Sequence, residues 1–151
     1  MDQAPHVTVV LDFFIFLNDT LSRTTHDFAD ETACSPDEAN IIRVLAHRGP
    51  LMVKEIAQAL PGMDSSKLTR LLDSLEKQGY ATRALNRVDR RSFLVTPTER
   101  GLQLLEAFTQ HLRTLAQDMF ATLTLTEQLV LVELFRKIQA TWNDITPQQS
   151  T

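Results

Sequence analysis

The stretch that decides the fold is DSSKLTRLLDSLEKQG at residues 64–79, followed by YATRALNRVDRRSFLVT at residues 80–96. In the first part, Leu68, Leu71, Leu72 and Leu75 recur at spacings of three and four, which predicts a helix with one apolar side. Asp64 suits its N-cap, and Gly79 suits its end. In the second part, short aromatic and β-branched runs flank the polar residues 86–91, so we predict a β-hairpin with a charged tip.

The residues on either side of this stretch predict further helices. Upstream, residues 53–60 form a short helix that Pro61 and Gly62 end, so a helix-turn-helix precedes the hairpin. Ser35 and Glu38 have the spacing of a capping box, which starts an earlier helix that ends near residue 48. Downstream, Thr98 caps a helix over residues 99–123, and a last helix runs to about residue 143. The predicted fold is mainly α with a small β-hairpin wing.

The N-terminal residues 7–29 also predict a helix, and it is apolar on more than one side. Phe13, Ile15 and Phe16 lie off its main apolar stripe. Such a helix must be covered on more than one side. Two explanations stay open at this stage: a partner subunit covers it, or it is buried in the core of its own chain.

These elements suggest four segments. We predict an N-terminal helix at residues 1–34, a winged helix-turn-helix domain at residues 35–100, C-terminal helices at residues 101–145 and a frayed tail at residues 146–151. The single cysteine, Cys34, excludes an intrachain disulfide and fits a reducing, cytoplasmic location. The sequence shows no signal peptide and no apolar run long enough for a membrane span, so we expect no membrane partner.

Charge is distributed unevenly along the chain. The whole chain has a net charge of −4, yet residues 64–100 carry eight Lys or Arg against five Asp or Glu, a net charge of +3. A basic patch on an acidic body is consistent with oriented binding to double-stranded DNA. A solvated surface without a partner would have the same composition, so charge alone does not decide the function.

The candidate DNA-binding site has two parts, one on the predicted helix and one on the hairpin tip. On the helix at residues 64–78, the side chains that face away from the leucines lie near its amino end, where a helix in the major groove reaches base edges and phosphates. On the hairpin tip, a narrow basic projection suits the minor groove. We expect Asp89 to hold the side chain of Arg91 by a bidentate pair. The candidates are Ser65, Ser66, Lys67, Thr69, Arg70, Arg87, Asp89, Arg90 and Arg91. The alternatives are that the two serines only cap the helix, that Arg70 is solvated, and that Asp89 and Arg91 form a surface ion pair.

The region resembles the MarR family of transcriptional regulators. The resemblance is carried by Gly49-Pro50-Leu51, by Ser66-Lys67-Leu68-Thr69-Arg70-Leu71, by Leu75-Glu76-Lys77-Gln78-Gly79, by Asp89-Arg90-Arg91 and by Thr98-Glu99-Arg100-Gly101. It implies a homodimer with dimerisation helices at residues 1–34 and 101–145 that intertwine, and a DNA-binding domain at residues 35–100. It further implies recognition helices in successive major grooves and wings in minor grooves, with Arg91 as the minor-groove contact. Two features depart from the pattern: Met52 occupies a cap position that is usually Ser or Thr, and Pro61 lengthens the turn before the recognition helix.

Other chemistry has weak support in the sequence. Cys34 could sense oxidants, and His26, Asp27 and Asp30 resemble a ligand cluster, but a solvated helix end explains the latter better, so we expect no metal and no cofactor. Four phenylalanines are candidates either for the lining of an effector cavity or for simple core: Phe14, Phe28, Phe108 and Phe120.

The function that the resemblance implies is that of a repressor that binds a pseudo-palindromic operator as a homodimer and is relieved by a small apolar or phenolic effector. Such an effector would change the spacing of the DNA-binding lobes. The alternative is a winged-helix module that contacts proteins and lacks sequence-specific DNA binding. An enzyme is not expected, because the sequence has no nucleophile–base signature, P-loop or dinucleotide-binding motif.

Overall fold

The computed structural model describes residues 5–145. Its elements are, in order, α1 (Pro5–Thr32), α2 (Pro36–Arg48), β1 (Leu51–Met52), α3 (Val53–Ala59), α4 (Ser65–Lys77), β2 (Ala81–Leu85), β3 (Phe93–Pro97), α5 (Glu99–Phe120) and α6 (Leu125–Ile145). The predicted fold class, mainly α with a small wing, is confirmed. The predicted tail at residues 146–151 and the first four residues of the predicted N-terminal segment lie outside the described residues.

The chain forms two compact units, the first ending at Leu112 and the second beginning at Arg113. The first unit contains the helix-turn-helix and the hairpin, and the second contains the end of α5 and all of α6. The segment boundaries after residues 34 and 100 stay predictions. No helix within residues 5–145 combines the length and apolar character needed to cross a bilayer.

The wing is part of a three-stranded antiparallel sheet in the order β1-β3-β2. β2 and β3 form the expected hairpin, in which Leu85 faces Phe93 and Arg83 faces Val95. The third strand, β1, was not predicted from the sequence, and it pairs Leu51 with Val95. The sheet therefore attaches the wing to the segment between α2 and α3.

The core of the first unit lies between α2, α3, α4 and the sheet. Its fully buried aliphatic side chains include Ile41, Ile42, Leu45, Ile56, Leu68, Leu72, Leu75 and Val95. The leucines of α4 that the sequence placed inward are buried, apart from the half-buried Leu71. This packing fixes which side of α4 faces solvent.

Both ends of α4 and the start of α2 are capped as the sequence predicts. The Asp64 carboxylate accepts the Lys67 N–H at 2.8 Å, so Asp64 is the N-cap of α4. Gly79 follows the helix with φ +76°, a conformation that glycine adopts without a Cβ clash. At the start of α2, the Glu38 carboxylate accepts the Ser35 N–H at 2.7 Å, and the Ser35 hydroxyl oxygen accepts the Glu38 N–H at 3.3 Å.

Buried Glu38 also joins α2 to the end of the recognition helix. Its second carboxylate oxygen accepts the side-chain amide of Gln78, the C-cap of α4, at 3.3 Å. The same amide donates to the Ser74 hydroxyl at 2.8 Å. A buried carboxylate requires such donors, and here they tie the start of α2 to the last turn of α4.

The terminal helices expose their apolar side chains. Phe28 is the one buried residue of α1, and Phe14 is 60% exposed. The alternative that this helix is buried in the core of its own chain is therefore wrong for the described residues. In α6, no residue up to 142 is buried, and the exposed side chains include Leu129, Leu134 and Ile138.

The four candidate phenylalanines differ in their surroundings within their own units. Phe28 and Phe108 pack edge to face with ring centroids 5.1 Å apart, and Phe28 belongs to the buried core. Phe14 is exposed on α1, and Phe120 belongs to the second unit. For Phe28 and Phe108, the simple-core interpretation is the one that the structure supports.

Candidate nucleic-acid interface

The amino end of α4 presents a polar, exposed surface. Ser65, Ser66, Thr69 and Arg70 are exposed, whereas Leu68 between them is buried. The Thr69 hydroxyl donates to the Ser65 carbonyl oxygen at 2.9 Å. Because Asp64 provides the cap, the alternative that the two serines serve as caps is wrong. Their hydroxyl groups make no hydrogen bond to the residues that the structure describes.

Lys67 lies at the edge of this surface in an ion pair. Its Nζ is 2.6 Å from Oδ2 of Asp37, in the first turn of α2, and both side chains are partly exposed. A carboxylate at this distance competes with a phosphate for the ammonium group. The sequence predicted Lys67 as a DNA contact and did not reveal its pair with Asp37, because the pair joins two helices and two residues thirty positions apart.

Arg83 connects the wing to the recognition helix. Its guanidinium contacts Asp73, and its Nε lies 3.2 Å from a carboxylate oxygen of Glu76. Both acids are on α4, and Arg83 is on β2. The pair therefore ties the base of the wing to α4, and it neutralises one of the cations that the sequence counted in the basic patch.

Hydrogen bonds hold the tip of the wing in a defined turn. The Asn86 N–H donates to the Ser92 carbonyl oxygen at 2.9 Å and closes the tip. The Asn86 side-chain oxygen accepts the Val88 N–H at 3.0 Å, and an Asp89 carboxylate oxygen accepts the Arg91 N–H at 3.0 Å. The side chains of Asn86 and Asp89 thus stabilise the backbone conformation of the tip.

The expected bidentate pair between Asp89 and Arg91 is not formed. Asp89 accepts the backbone N–H of Arg91, two residues on, because a short carboxylate side chain reaches that donor within the turn. The guanidinium groups of Arg87, Arg90 and Arg91 make no ion pair with any residue that the structure describes, and all three side chains are exposed. The tip therefore projects three positive charges into solvent.

The first residue of the wing tip also contacts the helix-turn-helix, through a residue that departs from the family pattern. The Asn86 amide donates to the Met52 sulfur at 3.5 Å. Met52 occupies the N-cap position of α3, but its side chain makes no capping hydrogen bond. The Glu55 carboxylate accepts the Met52 N–H at 2.7 Å. Met52 thus supports the wing where a Ser or Thr would cap the helix.

Two other candidate sites have no support as reactive centres. Cys34 is fully buried, and burial together with the nearby Glu38 charge raises the pKa of its thiol to about 12. His26 and Asp30 form an exposed pair at 3.5 Å on α1. No cluster of three or more His, Cys, Asp or Glu suited to a metal ion occurs in the part of the chain that the structure describes.

Comparison with known proteins places this site in a family. The MarR family model matches residues 35–92, from the start of α2 to the wing tip. The HTH-type transcriptional regulator YpoP of Bacillus subtilis is 32% identical over 104 residues, which cover 69% of this chain and 73% of YpoP. The chain belongs to the MarR family. It is a DNA-binding transcriptional regulator of the winged helix type, and as a member of a family of regulators it is not an enzyme.

Other MarR-family and regulator relatives cover more of the chain at lower identity. The HTH-type transcriptional regulator PapX of Escherichia coli is 24% identical over 139 residues, which cover 91% of this chain and 84% of PapX. Among solved structures, YusO of Bacillus subtilis has a TM-score of 0.75 at 20% identity, covering 91% and 99% of the two chains. MarR of E. coli in its apo form has a TM-score of 0.69 at 23% identity, covering 84% and 94%. These structures support the fold.

Proposed function

We propose that this MarR-family regulator binds a pseudo-palindromic operator as a homodimer, with α4 in the major groove and the wing in the minor groove. The observation that carries the proposal is the exposure of two polar projections, the amino end of α4 and the wing tip, joined by Arg83. The tip arginines have no carboxylate partner among the described residues, so phosphates and groove edges are available ligands for them.

The chemistry of α4 suits the major groove. Its exposed end has two small serines that permit close approach to DNA, and its N-terminal amides and dipole favour a nearby phosphate. Arg70 has the planar donor pair that reads guanine or binds phosphate. We assign base or phosphate contacts to Ser65, Ser66, Thr69 and Arg70, and a phosphate contact to Lys67 once it leaves Asp37.

The apolar surfaces of α1 and α6 support a homodimer. Each of the two helices exposes many large apolar side chains, and apolar surface of this kind is rare on monomers and marks an interaction surface. We expect the species in solution to have twice the 17.1 kDa mass of the chain. Sedimentation equilibrium of Leu129→Glu and Ile138→Glu should give monomers, whereas Ala46→Glu, which places the same charge on the exposed side of α2, should leave the dimer intact. Intact dimers for all three variants would contradict this assignment.

Repression relieved by a small apolar or phenolic effector follows from the family resemblance, and we propose it as the regulatory mode in a cytoplasmic protein. An effector can weaken DNA binding only if it prefers the state in which the two recognition helices cannot dock together. Operator affinity measured against a series of simple phenols tests this mode. A fall in affinity at saturating phenol supports it, and unchanged affinity across the series contradicts it for this chemical class.

The experiment for DNA binding begins with selection of an operator from random or genomic fragments. Fluorescence anisotropy then gives the dissociation constant at several salt concentrations. We expect a steep loss of affinity with salt, and Arg91→Ala should reduce the log–log slope by about 0.9 if its guanidinium neutralises one phosphate. Arg43→Ala is the matched control, because Arg43 is an exposed arginine on α2, outside α4 and the wing, and hydrogen-bonds to Asn40 at 2.6 Å.

The alternative function, a winged helix that contacts only proteins, predicts a different result. DNA association would then be weak and non-specific, and no operator sequence would be selected. A salt slope that is the same for the wild type and Arg91→Ala would also count against insertion of the wing.

A further inference from the structure

The wing tip carries one apolar side chain among its arginines. Val88 is 96% exposed, the largest exposure of any bulky apolar side chain in the described part of the chain. It lies within the turn that the Asn86–Ser92 backbone hydrogen bond closes, and its own N–H donates to the side-chain oxygen of Asn86. The fold fixes the position of Val88 and makes no use of its side chain.

We propose that Val88 is a specificity-determining residue that reads the floor of the minor groove and selects A·T over G·C pairs. The inference rests on the proposed DNA-binding function, and it assigns to Val88 of the wing a contact with the bases. Its ligand is the minor-groove edge of an A·T pair, which offers acceptor atoms and no projecting amino group.

Charge around Val88 directs it to that groove. Arg87, Arg90 and Arg91 surround it with positive charge, and the narrow minor groove of A·T-rich DNA has the enhanced negative potential that attracts arginine. Asp89, the one acid at the tip, has a carboxylate oxygen bonded to the Arg91 N–H, which turns it toward the backbone. The arginines would engage the groove walls while Val88, at the centre of the turn, meets the floor.

The chemistry of valine then gives the selectivity. A branched hydrocarbon neither donates nor accepts a hydrogen bond, so it cannot compensate the guanine N2 amino group, which projects from the floor at a G·C pair. Apolar side chains are a recurrent means of contact in minor-groove binding. At an A·T pair, the same methyl groups meet the adenine C2–H and the sugar edges, and no amino group there loses a hydrogen-bond partner.

Inosine separates this readout from major-groove recognition. An I·C pair has the major-groove pattern of G·C but lacks the N2 amino group. We would place A·T, G·C or I·C at each operator position where the wing lies, and measure affinity by anisotropy with wild type, Val88→Ala and Val88→Thr. The wild type should bind A·T and I·C about equally and G·C about tenfold more weakly, a typical cost for one unfavourable pair.

The two variants decide whether Val88 is responsible. Val88→Ala, which no longer reaches the groove floor, should reduce the G·C penalty to about threefold or less. Val88→Thr keeps the branched shape but has a hydroxyl group that can accept a hydrogen bond from the guanine N2 amino group, so it should reduce the penalty as well. Neither exposed substitution is expected to change the melting temperature.

Three outcomes would overturn the inference: an I·C duplex as weak as G·C, an unchanged penalty in Val88→Ala, or an unchanged penalty in Val88→Thr. If the wild type instead binds none of the duplexes, the proposed DNA-binding function itself fails, so the two failures are distinguishable.

Discussion

Replacement of Gly101 by alanine tests how tightly α5 is packed against the DNA-binding domain. Gly101 lies in the first turn of α5, and a Cβ there would overlap the carbonyl oxygen of Tyr80 and lie 3.1 Å from its carbonyl carbon. That oxygen also accepts the Thr98 N–H at 3.0 Å. The Tyr80 backbone therefore cannot move away without weakening the junction between α4, the wing and α5.

The size of the effect follows from two opposing contributions. Alanine in place of glycine inside a helix normally stabilises by about 1 kcal/mol. Overpacking against a fixed backbone costs about 1–3 kcal/mol, and a weakened hydrogen bond costs about 1 kcal/mol more. We therefore expect Gly101→Ala to lower the free energy of unfolding by about 2 kcal/mol. For a chain of this size, that corresponds to a fall of about 4–8 °C in melting temperature.

The assay is thermal unfolding followed by circular dichroism at one fixed protein concentration, because association makes the melting temperature depend on concentration. Gly62→Ala is the matched control, since an added Cβ at Gly62 meets no atom within 4 Å and its φ is not positive. The control should melt within a degree or two of the wild type. A Gly101→Ala protein that melts at or above the wild-type temperature would refute the close approach of α5 to Tyr80.

Three further predictions follow from contacts within the first unit. Because its pKa is raised to about 12 from 9.0, the Cys34 thiol should react with a disulfide reagent at pH 8 about a thousandfold more slowly than an exposed cysteine, and reaction at the ordinary rate would contradict its burial. Glu38→Ala should lower the free energy of unfolding in urea by about 2 kcal/mol, because the Gln78 amide and the α2 cap lose their acceptor; an unchanged midpoint would contradict this role. Asp37→Asn should raise operator affinity about two- to fivefold at low salt, because Lys67 no longer exchanges a carboxylate for a phosphate; equal or lower affinity would show that the pair does not compete with DNA.

Local patterns were sufficient to predict most of the helix-turn-helix. The leucine spacing of α4, the Asp64 cap and the Gly79 stop are encoded within one segment, and the structure confirms them. The short strand β1 was missed because two residues carry no period of their own. Leu51 and Met52 are a strand only because β3 lies beside them.

Contacts between residues of different segments could not be predicted from the sequence. Arg83 was expected to add to a basic patch, yet it pairs with acids of α4 that lie on an adjacent element only after folding. Asp89 shows a second limit: sequence spacing gave its neighbour correctly but not whether it binds the guanidinium or the backbone N–H of Arg91. Whether the first helix is covered by its own chain also depended on tertiary packing, which leaves Phe14 exposed.

Dimethyl sulfate interference on the selected operator tests most directly whether α4 and the wing occupy different grooves. The reagent methylates guanine N7 in the major groove and adenine N3 in the minor groove. We predict N7 interference in two half-sites about one helical turn apart, with N3 interference at the positions that flank them. Arg91→Ala should lose the N3 signals and keep the N7 signals, and Arg70→Ala should weaken the N7 signals near its contact. An interference pattern confined to one groove, or unchanged in both variants, would contradict the account.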